Sequence, residues 1–101
     1  MEFNLIVKPK AERDIEKSVE WYREQSGNLA EKFLDKIGES LDKISKNPEH
    51  YQKRYNEIRI IFTKKFPYGI YYTVEGKTIF VHAVLHTKQN PRTAENRGKS
   101  V

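Results

Sequence analysis

The spacing of hydrophobic and polar residues predicts one strand and two helices in the first half of the chain. An apolar run at residues 3–7, stopped by Pro9, is typical of a buried strand. A helical period then extends from residue 10 to Gly27, and a second helix, which Asn28 is expected to cap, extends to Pro48. The two-residue link at Gly27 and Asn28 leaves room only for an antiparallel helical hairpin. The two apolar stripes are Ala11, Ile15, Val19 and Tyr22, and Ala30, Phe33, Leu34, Ile37, Leu41 and Ile44.

The second half of the chain alternates between apolar and other residues with the period of two that strands show. Runs at 58–63, 70–75 and 79–86 are separated by a Pro-Tyr-Gly break and a two-residue turn at Gly76 and Lys77, which predicts an antiparallel meander. One face of the meander must be covered by the helical hairpin, while the other stays open as the predicted working surface. The residues expected to face the helices are Ile58, Ile60, Phe62, Ile70, Tyr72, Val74, Ile79, Val81, Ala83 and Leu85. The residues expected on the open reverse face are Arg59, Ile61, Thr63, Tyr71, Thr73, His82 and His86.

Together these elements predict an α+β fold, with an N-terminal strand and an antiparallel helical hairpin that packs on a twisted antiparallel sheet. The strand at residues 3–7 is expected to enter the sheet, because its apolar side chains have no other cover. We expect a single domain at residues 1–92. The polar, basic segment at residues 93–101 is expected to form a flexible tail that frays or waits for a partner.

Composition narrows the class of protein. The chain has 101 residues and no cysteine, which indicates one domain, excludes disulfides and thiolate metal sites, and favours a reducing compartment. No apolar run approaches the roughly 18–20 residues that cross a bilayer, and the first ten residues lack the layout of a signal peptide. We therefore expect a cytoplasmic protein.

The charge is unevenly distributed between the two halves of the chain. Residues 1–50 carry nine Lys/Arg and eleven Asp/Glu, a net charge of −2, whereas residues 51–101 carry ten and three, a net charge of +7. This asymmetry favours a polyanion or an acidic partner on the C-terminal side. The alternative is that a net charge of this size serves solubility alone.

Three segments carry a resemblance to a known family: residues 65–75 (KFPYGIYYTVE), residues 81–86 (VHAVLH) and residues 90–92 (NPR). With the helix pattern from Ala30 to Pro48, residues 3–92 resemble the ParE/RelE toxins of type II toxin–antitoxin systems, which are also called plasmid stabilisation proteins. The resemblance implies a toxin with the RelE/ParE-like fold. It also implies a cognate antitoxin whose C-terminal segment wraps the toxin.

The family has two branches, which differ in their target. RelE-like members cut mRNA in the ribosomal A site without a metal, and ParE-like members inhibit DNA gyrase. Nucleolytic members place an arginine after the tyrosine of the middle strand, where this chain has Gly69, and another after the last strand, where it has Lys88 and Gln89. Their late tyrosine has no counterpart, since no aromatic residue follows Phe80. We therefore favour the ParE-like, non-hydrolytic function, with a ribosome-dependent endoribonuclease or a non-toxic antitoxin-binding protein as the alternatives.

Under the nuclease alternative, a base and cations must surround the scissile phosphate. Arg59, Lys64 and His86 are the candidate catalytic residues, because imidazole titrates near neutrality and the two cations can hold a phosphate. The alternative for His86 is a strand-end histidine that is hydrogen-bonded to backbone. The candidate target-binding residues are Lys65, Tyr71, Lys88 and Arg92.

No cofactor and no metal ion are expected from the sequence. His82 and His86 lie four residues apart on one strand, about 13 Å along it, which is too far for two ligands of one ion. His82 is expected to be a half-exposed sheet residue. Trp21 lies off the apolar stripe of the first helix, where a position at the boundary of the core is favoured over a binding role.

Overall fold

The computed structural model describes residues 3–99 as three α-helices around one five-stranded sheet. The sheet order is β1-β5-β4-β3-β2, with β1 parallel to β5 and the other neighbours antiparallel. The fold is therefore α+β, as the sequence predicts. In chain order the elements are β1 (Asn4–Val7), α1 (Pro9–Gln25), α2 (Gly27–Lys46), a short 3-10 helix (Pro48–His50), β2 (Lys53–Tyr55), β3 (Ile58–Phe62), β4 (Tyr68–Glu75), β5 (Thr78–His86) and α3 (Arg92–Lys99).

Helices α1 and α2 form the expected hairpin, although its turn differs from the prediction. Pro9 occupies the first turn of α1, where its missing N–H is not needed. Ser26, in an extended conformation, separates the helices and precedes the first residue of α2, so Asn28 lies inside α2 instead of capping it. Asn47 and Pro48 end α2, as predicted. None of the helices within residues 3–99 is long and apolar enough to span a membrane.

The main core lies between the helical hairpin and one face of the sheet. Phe33 and Ile44 of α2 are fully buried against Ile70 and Tyr72 of β4. The Tyr72 hydroxyl donates a 2.6 Å hydrogen bond to the carbonyl of Pro48, which anchors the 3-10 helix to the sheet. At the other end of the sheet the ring of Phe33 contacts three other aromatic rings, those of Tyr22, Phe66 and Tyr68, at centroid distances of 4.9–5.5 Å.

The facing of β3 and of the second half of β5 differs from the prediction. Ile61 belongs to the main core, and Ile58 and Ile60 lie on the reverse face. The reason is the register between β3 and β4, in which Ile61 and not Ile60 lies opposite Ile70. In β5 a bulge at His82 inserts an extra residue, since Tyr71 pairs with Ala83 and Tyr72 with Val81. Beyond the bulge the facing is inverted. Ala83 and Leu85 are therefore on the reverse face, and Val84 is in the main core.

Of the segment at residues 93–101, which was expected to fray, the residues up to Lys99 belong to α3, and this helix covers the reverse face of the sheet. Residues 100 and 101 lie outside the described part of the chain. A second apolar cluster forms there between Ala94 of α3 and the sheet. Gly98 lies so close to β3 that an added Cβ would come within 2.6 Å of Ile58 Cδ1. The predicted open face is thus occupied by the chain itself. The cluster contains Ile58, Ile60, Tyr71, Ala83, Leu85 and Ala94.

Candidate functional site

Arg59 lies on the helix side of the sheet, not on the reverse face where the alternation predicted it. Its Nη1 donates hydrogen bonds to the carbonyl oxygens of Tyr51 (2.6 Å) and Glu49 (3.2 Å). These bonds tie the end of the 3-10 helix to β3. The cleft beside Arg59 is lined by Lys53, Glu57 and Gly76, and not by the other two candidate catalytic residues. The guanidinium of Arg59 is therefore engaged in holding the fold.

His86 lies at the end of β5, and its surroundings match the alternative interpretation of a strand-end histidine that is hydrogen-bonded to backbone. Its Nδ1 accepts a 3.1 Å hydrogen bond from the N–H of Lys88, and its own N–H donates to Oε1 of Gln89. The imidazole ring contacts Tyr68 edge-on at a centroid distance of 5.3 Å. His86 pairs with Tyr68 and Arg59 pairs with Tyr72, so the two candidates are separated by four residues of β4, or about 13 Å.

Lys64 and Lys65 lie in the loop between β3 and β4, and both side chains are exposed. Glu39 of α2 faces this loop: a hydrogen bond and the charge of Lys36, together with the charges of Lys43 and Lys64, lower the pKa of its carboxyl. Lys65 has a φ of +69°, in the left-handed region that side chains other than Gly rarely adopt. The loop therefore presents two cations near the aromatic end of the core.

The other candidate target-binding residues are dispersed. Tyr71 is only 6% exposed because α3 covers it, and burial raises the pKa of its hydroxyl. Lys88 is exposed in the turn after β5. Arg92 is exposed at the start of α3, where its N–H donates to Oδ1 of Asn90. The sequence thus identified several exposed cations, and the fold does not gather them into one concave site with Tyr71.

His82 is fully buried at the β5 bulge, at 1% exposure, although the alternation predicted a half-exposed side chain. Its Nε2 lies 2.8 Å from the hydroxyl oxygen of Thr73. Burial, followed by the positive charges of Lys8 and Arg97, lowers the pKa of His82 to about 4. The imidazole is therefore neutral at physiological pH.

The edge of β5 beyond the end of β1 is covered by side chains from two helices. Lys8 donates its N–H to the carbonyl of Val81, which is the last strand-like contact of the N-terminal segment. Further along, Asp14 Oδ2 of α1 accepts the N–H of Val84, and Arg97 Nη1 of α3 donates to the carbonyl of His82. The hydrogen-bonding groups of this exposed edge are thus satisfied without another strand.

An open groove of about 470 Å³ lies above this edge, between α1 and α3. We call it the α1–α3 groove. Its α1 wall carries Lys10, Arg13 and Lys17, and its α3 wall carries Thr93 and Arg97. A neighbouring cavity of about 260 Å³ shares Lys10, Arg13 and Arg97, and adds Lys8 and His82. The groove is therefore strongly cationic.

Sequence reasoning missed this groove because it compared the charges of the two halves of the chain. Lys10, Arg13 and Lys17 belong to the half with a net negative charge, and Arg97 belongs to the segment expected to be flexible. One signal was available: positions 10, 13 and 17 recur at helical spacing and form a basic face on α1. The contribution of Arg97 required knowledge of α3.

Comparisons with solved structures establish the fold. The chromosomal ParDE toxin–antitoxin system from P. aeruginosa contains a chain that superposes with a TM-score of 0.75 at 18% sequence identity, covering 84% of this chain and 96% of that one. A mutant of the E. coli toxin RelE in the free state superposes with a TM-score of 0.68 at 16% identity, covering 100% of this chain and 99% of the other. Both branches of the expected family therefore share this architecture.

The sequence comparison is more selective than the structural one. The family model described as ParE toxin of type II toxin-antitoxin system, parDE, matches residues 5–91, which extend from β1 through β5. Among curated proteins no sequence matches at a significant level.

Proposed function

Because this chain belongs to the ParE toxin family of type II toxin–antitoxin systems, we propose that it inhibits DNA gyrase without hydrolytic chemistry and is neutralised by a cognate antitoxin. The match spans β1 to β5, so it covers the sheet and the helical hairpin together. The family supports the antitoxin partner. The choice of gyrase over the ribosome depends on the arrangement of the candidate catalytic residues.

The observation that supports a non-hydrolytic function is the separation of Arg59 from His86. RNA cleavage requires a base near the 2′-OH and a cation on the scissile phosphate, within a few ångströms of each other. Here the guanidinium of Arg59 is hydrogen-bonded to two backbone carbonyls, and His86 pairs with the first residue of β4, four residues from the partner of Arg59. A phosphate held by one of them would be out of reach of the other.

The proposal is tested by inducing the full-length chain in cells and following plasmid supercoiling and mRNA integrity together. Inhibition of gyrase predicts relaxed plasmid and intact transcripts. Transcripts cut at ribosomes would favour the endoribonuclease alternative instead. Healthy cells with unchanged plasmid topology would favour the non-toxic antitoxin-binding alternative.

A matched variant sharpens the test. Substituting His86→Ala removes the imidazole but leaves the N–H groups of residues 86 and 88 in place, so the fold should persist. Under the proposed function the variant still relaxes plasmid on induction. Loss of growth inhibition in His86→Ala, with normal levels of folded protein, would contradict the proposal.

A further inference from the structure

The cations of the α1–α3 groove are gathered without matching negative charge. Lys8, Lys10, Arg13, Lys17 and Arg97 line the groove and its neighbouring cavity, while Asp14 is the carboxylate among the lining residues. Asp14 is already bound to Arg97, at 2.7 Å. Within residues 3–99, Lys10, Arg13 and Lys17 form no ion pair. Such a concentration of positive charge attracts an anion and has no evident role in stability.

The lining of the groove is suited to phosphate more than to a folded protein surface. Thr93 and Asn96 add a hydroxyl and an amide beside the cations, which are common partners of phosphate oxygens. No aromatic or aliphatic side chain is among the residues that line the groove itself. Pro9, Val84 and Leu85 line the adjoining cavities, but Val84 and Leu85 are only 1% and 2% exposed, whereas the centres of protein interfaces are built on accessible apolar anchors. A ligand that binds mainly through its charged backbone needs no apolar pocket.

An exposed aromatic ring extends the same face of α1. Trp21 follows Lys10, Asp14 and Lys17 at successive steps of four, three and four residues, so the four side chains form one line along the helix. A further cavity adjoins the groove there, and Lys17 and Ser18 of α1 line it together with Val84, Leu85, Gln89 and Thr93. Trp21 is 56% exposed, and its ring contacts that of Tyr22 edge-on at a centroid distance of 5.0 Å. An indole in this position offers a face for a base.

We propose that the α1–α3 groove and Trp21 together bind single-stranded nucleic acid, with phosphates against the cations and an unpaired base stacked on the indole. Stacking on aromatic side chains combined with a cationic track is how proteins bind single strands without sequence preference. A duplex would offer no free base to Trp21. This inference goes beyond the proposed function, because it requires neither gyrase nor an antitoxin.

Trp21 is the single tryptophan of the chain, so its fluorescence reports directly on the site. Full-length protein is titrated with an oligothymidylate of about 12 nucleotides, within the range that such sites cover. Quenching of the Trp21 emission is expected, with an affinity that falls steeply as salt is added. A duplex of equal length should bind more weakly and leave the emission largely unchanged.

The charge requirement is tested with a double variant and a matched control. Arg13→Gln with Lys17→Gln should weaken binding about 10-fold or more at low salt and reduce the slope of log K against log salt by about 1.4. Arg23→Gln with Lys32→Gln removes the same charge from exposed positions of the hairpin outside the groove. The control should change affinity less than about twofold. Thermal unfolding by circular dichroism checks that both variants fold.

The stacking requirement is tested with the variant Trp21→Ala. Because this variant lacks the indole, its binding is measured by the fluorescence anisotropy of a labelled oligonucleotide. Loss of one stacked base should weaken binding by a factor of about 5 or more. Equal losses in the groove variant and its control would overturn the proposal, because binding would then follow net charge alone. Binding of polyglutamate that quenches Trp21 and displaces the oligonucleotide would also overturn it, in favour of an acidic protein segment.

Discussion

Asp14 of α1 and Arg97 of α3 are joined by a 2.7 Å ion pair directly over the edge of β5. Each residue also bonds the strand itself: Asp14 accepts the N–H of Val84, and Arg97 donates to the carbonyl of His82. The pair therefore connects three elements that are distant in sequence. It also places the two walls of the α1–α3 groove at a fixed separation.

Removing the carboxylate should destabilise the protein measurably. In Asp14→Ala the part-buried guanidinium of Arg97 and the N–H of Val84 both lose a partner. We expect the free energy of unfolding to fall by about 2 kcal/mol, as measured by urea denaturation. Asp42→Ala is the control, since the Asp42–Lys46 pair is 62–64% exposed, and it should change stability by no more than about 0.5 kcal/mol. A loss of no more than about 0.5 kcal/mol in Asp14→Ala, as in the control, would show that the part-buried pair contributes no more than an exposed one.

A charge placed beneath α3 should release this helix from the sheet. Ala94 is fully buried in the reverse-face cluster, and in Ala94→Asp a carboxylate would have to enter it. Detachment exposes the peptide bonds after Arg92 and Arg97, so trypsin should cut there at least about 10-fold faster than in the parent. This rate increase corresponds to a decrease of about 1.4 kcal/mol in the free energy needed to detach α3. Thr93→Asp, at an exposed position of the same helix, should keep the parental rate of cutting after Arg97. An unchanged rate in Ala94→Asp would contradict the packing of α3 described above.

Stability should decrease on acidification because of His82. Its pKa falls from an ordinary 6.5 to about 4 in the folded protein, so the unfolded chain binds more protons between these values. The free energy of unfolding therefore drops as the pH is lowered from 6.5 to 4, with a total loss of about 3 kcal/mol from this residue. Urea midpoints measured by circular dichroism at pH 7, 6 and 5 follow the loss.

Substitution separates the His82 contribution from that of the carboxylates, which titrate in an overlapping range. His82→Gln should flatten the decline between pH 6.5 and 4 relative to the parent. His50→Gln, at an exposed position of the 3-10 helix, should retain the parental decline. If the two variants had parallel profiles, the imidazole of His82 would not be responsible.

Arg59 is expected to affect stability and not chemistry. Arg59→Met removes the hydrogen bonds to the carbonyls of Glu49 and Tyr51, at an expected loss of about 1–2 kcal/mol in urea denaturation. Arg54→Met is the matched control, since its guanidinium is exposed above the ring of Phe62 at 5.9 Å and contributes about 0.5 kcal/mol. Under conditions where Arg59→Met remains folded, it should still inhibit growth. Full stability combined with loss of inhibition would reverse this assignment.

The order and type of β1, α1, α2, β3, β4 and β5 were predictable because the apolar spacing changes from helical to alternating at one place in the chain, whereas the three-residue strand β2 was not predicted. The helical hairpin was predictable from two apolar stripes joined by a short link. Strand β4 was predictable from the Pro-Tyr-Gly segment at its start and the Gly76-Lys77 turn after it. Which residue faces which side was less predictable. The bulge at His82 inverts the facing of the strand after it, and nothing in the run from Ile79 to His86 signals where an extra residue is accommodated.

The C-terminal helix was missed for a different reason. Its contact with the sheet is made by small residues, Ala94 and Gly98, whose low hydrophobicity leaves no visible stripe among polar neighbours. Their spacing of four residues, after Asn90 and Pro91, is the available signal for a short helix. Without α3 the reverse face is predicted to be open, so Tyr71 is placed on a surface and the contacts of Arg97 cannot be anticipated.

The parallel pairing of β1 with β5 has a consequence for synthesis. Residue 4 lies opposite residue 78, so the first strand leaves the ribosome long before its neighbour exists. At typical elongation rates, the roughly 75 intervening residues take on the order of 4 to 15 s. Throughout that interval the sheet of the nascent chain is incomplete. A transcript truncated within this stretch encodes a polypeptide that lacks β5, so β1 has no strand to pair with. Newly made molecules therefore complete the sheet only after β5 has been synthesised.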